Sequence, residues 1–137
     1  MKRLSTFWQS FRAVLKIVAW PFEPSVYVAP YTATYYSRRY DKSLTMYEGD
    51  SMDGATCCPN FGESWKFHDI GFKRGRWDDG TPMTWRQINN VMKDIMVEEE
   101  QPEWVQRLVR KGINSKYGYQ VWKKRRAQDA ENGARLP

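Results

Sequence analysis

Apolar residues return every three to four positions through most of the chain, a spacing that predicts helices. Leu4, Phe7, Trp8, Phe11, Val14, Leu15 and Val18 make one such stripe; Ser5, Gln9, Arg12 and Lys16 lie opposite, and Pro21 should end the helix. The pattern then changes. Val26, Val28, Tyr31, Thr34, Tyr35, Tyr36 and Tyr40 favour extended backbone, so strands are expected near 26–37 and 43–48, paired as a hairpin around the charged stretch Arg38 to Lys42. Residues 49–60 are rich in turn formers.

Helical spacing resumes at Phe61. Phe61, Trp65, His68 and Phe72 share one face of a helix expected to end at Arg74, before Gly75. A polar loop fills 75–83. Thr84 then has the character of an N-cap and Gln87 completes a capping box. The following helix aligns Trp85, Ile88, Asn89, Met92, Ile95 and Met96. Acids 98–100 and Pro102 separate it from a third helix at about 103–111, with Gly112 suited to the C-terminal cap position. A last helix is expected from about 115 to 126, carrying Tyr117, Val121 and Trp122. Residues 127–137 have no apolar pattern and read as a frayed tail. The expected fold is therefore α+β and mostly helical: an N-terminal amphipathic helix at 1–22, a short β-hairpin, and three to four packed helices in a single globular domain at 23–126.

Size and composition agree with one domain. The chain has 137 residues, with seven Trp, eight Tyr and six Phe, enough large rings to give a short chain a core. Cys57 and Cys58 are its only cysteines, and neighbours in sequence do not form a relaxed disulfide. That usage suits a reducing compartment, and one histidine with two adjacent cysteines lacks the spacing of a zinc site.

Charge is unevenly placed. Residues 1–22 hold four basic and no acidic residues; 23–103 hold nine basic and fourteen acidic; 104–128 hold eight basic and no acidic. Basic ends around an acidic middle suit partners with negative surfaces, or simply solvate their helices. Arg12 and Lys16 interrupt the first helix, so neither a signal peptide nor a transmembrane span is expected. Three readings of residues 4–20 stay open. The stripe could dock on the domain core or on another subunit. It could lie on a membrane surface with Trp8 inserted and Arg12 and Lys16 at head groups. Or it could order only on binding a partner. At the other end Lys123, Lys124, Arg125 and Arg126, with Arg107, Arg110, Lys111 and Lys116, stand among Tyr117, Tyr119 and Trp122. Charge plus stacking surfaces suit nucleic acid, although no recognised nucleic-acid motif is present.

The one constellation that suggests chemistry centres on His68, the sole histidine. An imidazole in a partly buried slot can act as a general base if one ring nitrogen faces substrate and the other is held by an acceptor. Asn89 on the following helix is the candidate for that second role, provided the two helices pack antiparallel. Asp69 points about 100° away around the helix and suits capping or calcium ligation, with Asp50 and Asp53 in the preceding loop as further oxygen ligands. A lone histidine on an apolar face is equally a hydrogen-bonded core residue.

Asp53-Gly54-Ala55-Thr56, Pro59, Trp65 and His68-Asp69, followed by Arg86, Asn89, Met92, Met96, Tyr117 and the Arg-rich close, resemble a phage and prophage family known as domain of unknown function 1353. The likeness covers about residues 26–126. It implies a phage or prophage origin but brings no established activity. Together with the acidic middle, basic ends and aromatic content, it leads to the expectation of a virion-associated or accessory protein, made in the host cytoplasm, that docks on other phage proteins or assembles with itself and needs no cofactor. The Cys-Cys…His-Asp-x-x-Phe segment also resembles the two-helix core of secreted phospholipases A2, especially the short bacterial and parvoviral forms. That second likeness implies His68 as the base that activates water and Asp69 as a calcium ligand, in a lipid hydrolase acting at membranes. Asn89 stands where that family has an aspartate, Phe72 replaces a tyrosine, and the glycine-rich calcium loop is missing. An asparagine holds the ring but brings no charge to imidazolium, so this likeness implies a crippled or absent esterase.

Overall fold

The computed structural model describes residues 26–52 and 62–135. The expected helix at 4–20, with Trp8, Arg12 and Lys16, and the turn containing Asp53, Cys57 and Cys58 lie outside the described residues.

The strand pattern forms two small antiparallel sheets. Strands β2 (Ala33–Ser37) and β3 (Lys42–Met46) make the expected hairpin, with Tyr35 opposite Leu44. The run expected to be one strand from 26 to 37 is broken at residues 29–32. Its first part is β1 (Tyr27–Val28), which pairs with β4 (Ser51–Met52). Pro30 has no N–H to offer a ladder, which accounts for the interruption.

Four helices follow: α1 (Ser64–Arg74), α2 (Trp85–Glu98), α3 (Glu103–Ile113) and α4 (Lys116–Arg135). None of the described helices is long and apolar enough to cross a membrane. The capping box at Thr84 is formed in both directions: Gln87 N–H donates to Thr84 Oγ1, and Thr84 N–H donates to Gln87 Oε1. Two helix ends depart from the sequence reading. Helix α3 runs through Gly112 to Ile113, whose side chain is buried, and Asn114 is the C-cap residue. Helix α4 continues to Arg135, well past 126. Helix formers Ala127, Gln128, Ala130 and Glu131 carry it on without an apolar stripe, helped by an Arg126–Asp129 pair.

Helix α1 lies at the centre. Trp65 meets Tyr27 edge-on, Phe67 lies against Tyr35, and Phe72 meets Trp122 of α4. Its other main neighbour is α2, which buries Ile88, Val91, Met92, Ile95 and Met96. Gly71 permits that approach, because a Cβ there would overlap Ile88 Cδ1. Helix α3 adds Val105, Val109 and Ile113 to the same core.

Both ends of α1 are held by distant charges. Glu99 Oε1 accepts the Glu63 N–H at 2.7 Å at the N-terminal end. Arg126 donates through Nη2 to the carbonyls of Phe72 (2.7 Å) and Lys73 (3.0 Å) at the C-terminal end. An anion at the start and a cation at the end both complement the helix dipole. Each clamp sits beside a glycine with positive φ. A side chain at Gly62 (φ 55°) would overlap Glu99, and one at Gly75 (φ 62°) would overlap Arg126.

Candidate functional site

The two packed helices bring His68 and Asn89 together: imidazole Nε2 lies 3.0 Å from Asn89 Oδ1. The orientation of the amide follows from its other partners. Asn89 is 1% exposed, and its Nδ2 donates to the carbonyl of Ile113 at 3.1 Å and towards Asn114 Oδ1 at 3.3 Å. Those partners accept only, so the nitrogen must face them and the oxygen must face the histidine. An oxygen there accepts, so His68 Nε2 carries the hydrogen and Nδ1 carries the lone pair. No described residue hydrogen-bonds Nδ1.

Removal of the ring from water pushes the His68 pKa below its ordinary value, and the Asn89 hydrogen bond opposes this only in part. The imidazole is therefore neutral at pH 7. It has a free base lone pair but no carboxylate to stabilise its charged form. Phe72 lies beside the ring, with centroids 6.1 Å apart.

Two of the acids expected to bind calcium, Asp50 and Asp69, have protein cations beside them, and the third, Asp53, lies outside the described residues. Asp50 accepts from Arg74 Nη2 at 2.7 Å and from the Tyr47 N–H at 2.8 Å. Asp69 is buried and pairs with Lys73 one turn on, at 3.4 Å. The described residues hold no group of three His, Cys, Asp or Glu side chains placed to share a metal ion. Arg74 also donates to the Thr45 carbonyl, so the Asp50 pair helps tie α1 to the hairpin.

The basic stretch of α4 divides by position. Arg126 serves the end of α1 and stacks on Trp122, with Cζ 4.7 Å from the ring centroid. Arg125 is half-buried, whereas Lys124 and Lys123 are exposed, and Lys123 Nζ sits 4.8 Å above the Tyr119 ring. At least one of the four predicted binding cations is thus built into the fold.

A cleft of about 540 Å³ opens on the far side of Asn89, lined by Trp85, Arg86, Asn89, Asn90, Lys93 and Asn114. The sequence reading did not group these residues, although Arg86, Asn90 and Lys93 fall at i, i+4 and i+7 and so share a helix face. That spacing was the available signal.

Fold and site define a small, mostly helical α+β domain in which the central helix α1 and its neighbour α2 bring together a neutral His–Asn pair. No protein-family model matches the chain, no curated protein matches it, and no solved structure matches it.

Proposed function

We propose that this chain is a phage-encoded interaction protein, virion-associated or accessory, that works by docking on other phage proteins or on itself rather than by catalysis. The observation that carries this reading is the outer face of α3. Trp104 and Leu108, one turn apart, are 40% and 45% exposed, while Val105, Val109 and Ile113 fill the core side. Arg107, Arg110 and Lys111 stand among the two exposed residues. A tryptophan set among arginines is the composition of an interface anchor rather than of a solvated helix face. The neutral partner of His68 and the engaged acids Asp50 and Asp69 support the same reading, since a hydrolytic centre would need its charges free. The phage assignment rests on the motif likeness at Asp53–Thr56 and His68-Asp69.

The test is association of the purified chain with itself and with purified virion proteins. Trp104→Ala with Leu108→Ala should weaken association at least tenfold without altering the melting curve. A chain that stays monomeric and binds no virion component would overturn the proposal.

One observation favours a second reading, a calcium-dependent lipid hydrolase. His68 is neutral, held at Nε2, and without a described partner at Nδ1, as a general base should be. Fatty-acid release from anionic liposomes with calcium, compared for the native chain and His68→Ala, decides it. Equal rates end that reading.

A further inference from the structure

Helix α2 presents one polar stripe in which Arg86, Asn89, Asn90 and Lys93 occupy positions i, i+3, i+4 and i+7, and all four line the same open cleft with Trp85 and Asn114. Its chemistry is one-sided, for two cations and three amides line it and no carboxylate does. Several other basic side chains of this domain are matched, among them Arg39 with Asp94, Lys42 with Asp79, Lys66 with Glu63, Arg74 with Asp50 and Arg107 with Glu103. Asp94, the acid next to Lys93 in sequence, holds Arg39 through both oxygens. Neither Arg86 nor Lys93 pairs with an acid among the described residues.

We propose that this cleft is a binding site for a phosphorylated ligand presenting two linked phosphates, with Arg86 and Lys93 as the paired cations. Seven residues of helix separate their backbones by about 10 Å. Long side chains reaching inward from that separation can close on a diphosphate, with the guanidinium donating in a fork and the ammonium as a point charge. Asn90 Nδ2 donates to Tyr40 Oη (2.7 Å) and Asn114 Nδ2 to the Arg110 carbonyl (2.8 Å), and each amide keeps a second N–H for a phosphate oxygen. Desolvation lowers the Lys93 pKa, and Arg110, Arg39 and Arg86 add to the effect against Asp94. A bound anion would relieve this crowding of like charge. A free diphosphate-bearing ligand presents this chemistry, whereas a nucleic-acid strand carries single phosphodiesters separated by sugars.

Titration of the full chain with inorganic pyrophosphate, followed by tryptophan fluorescence and by the side-chain amide signals of Asn90 and Asn114, tests the site. Saturable binding is expected to move both amide signals. Arg86→Gln and Lys93→Gln should each weaken it at least tenfold, and Arg76→Gln, at an exposed cation outside the cleft, should leave it unchanged. A short oligothymidylate is run in parallel: tighter binding by pyrophosphate is expected, and tighter binding by the oligomer, with the same two variants affected, would overturn the diphosphate site in favour of a nucleic-acid backbone site. Unsaturable binding, unmoved amide signals, or equal weakening by Arg76→Gln would overturn the proposal. The amide readout is made on the unaltered chain, so it holds even if a variant folds poorly.

Discussion

His68 Nε2 faces Asn89 Oδ1 at 3.0 Å, and the amide cannot turn round, because its nitrogen is committed to the Ile113 carbonyl behind it. The tautomer of the imidazole is therefore set by a backbone carbonyl two steps away. Nitrogen-15 NMR of the ring should find Nε2 protonated and Nδ1 bare above pH 7; the opposite assignment would refute this geometry. Asn89→Asp would replace a donor with an acceptor against the Ile113 carbonyl. That should cost about 1–3 kcal/mol in urea denaturation. The same change gives imidazolium a counter-charge, so the His68 pKa should rise relative to the native chain.

The depressed His68 pKa has a consequence for stability against pH. In the unfolded chain the ring titrates near 6.5, and in the folded chain lower, because burial disfavours the charged form. Between the two values the unfolded chain binds the extra proton. The contribution is complete above the unfolded value and is lost as pH falls through 6.5 towards the folded value. Within that window the slope contributed by one proton is at most about 1.4 kcal/mol per pH unit. Glu99, whose pKa burial raises from 4.5, acts in the opposite sense at lower pH. Denaturation midpoints should rise between pH 5 and 7.5 as this contribution is gained, and His68→Gln should flatten that rise. An unchanged profile in the variant would show that another group is responsible.

The clamp at the end of α1 predicts a coupling between Gly75 and Arg126. Gly75→Ala places a side chain at φ 62° and into the space of the guanidinium. The first effect costs about 1 kcal/mol, and displacing Arg126 from two carbonyls adds about 1–3 kcal/mol. With Arg126→Ala already in place only the first cost should remain. A double-mutant cycle reads the difference directly, and strict additivity would mean that the guanidinium moves aside freely.

Much of this arrangement is legible in the chain, for reasons particular residues make plain. Thr84 and Gln87 announce a helix start because a capping box is local, closing across three residues. The meeting of His68 with Asn89 follows from two apolar stripes, since helices joined by a short loop must turn those stripes towards each other. The clamps are different. Glu99 reaches Glu63 across 36 positions and Arg126 reaches Phe72 across 54, so nothing local distinguishes them from solvated surface charges. Arg126 consequently reads as one of four equivalent cations. The break at Pro30 and the continuation of α4 to Arg135 turn on backbone hydrogen bonding and helix propensity, which an apolar pattern does not record.

Gly71 gives the most direct test of the approach between α1 and α2 on which the His–Asn pair depends. A methyl group at this position would overlap Ile88 Cδ1 and stand 3.0 Å from Met83 Sδ. Ile88 is fully buried, so its side chain has little room to withdraw. Alanine favours a helix over glycine by about 1 kcal/mol, and that gain works against the overlap. Overpacking typically costs about 1–3 kcal/mol, so a net destabilisation of up to about 2 kcal/mol is expected in Gly71→Ala. The helices should also part slightly, lengthening the contact between His68 and Asn89. The Nε2 resonance of His68 should then shift towards that of a solvated imidazole, whereas a remote destabilising change such as Val109→Ala should lower stability and leave the resonance in place. A Gly71→Ala chain as stable as the native one, with an unmoved His68 signal, would mean that the helices do not depend on this close approach.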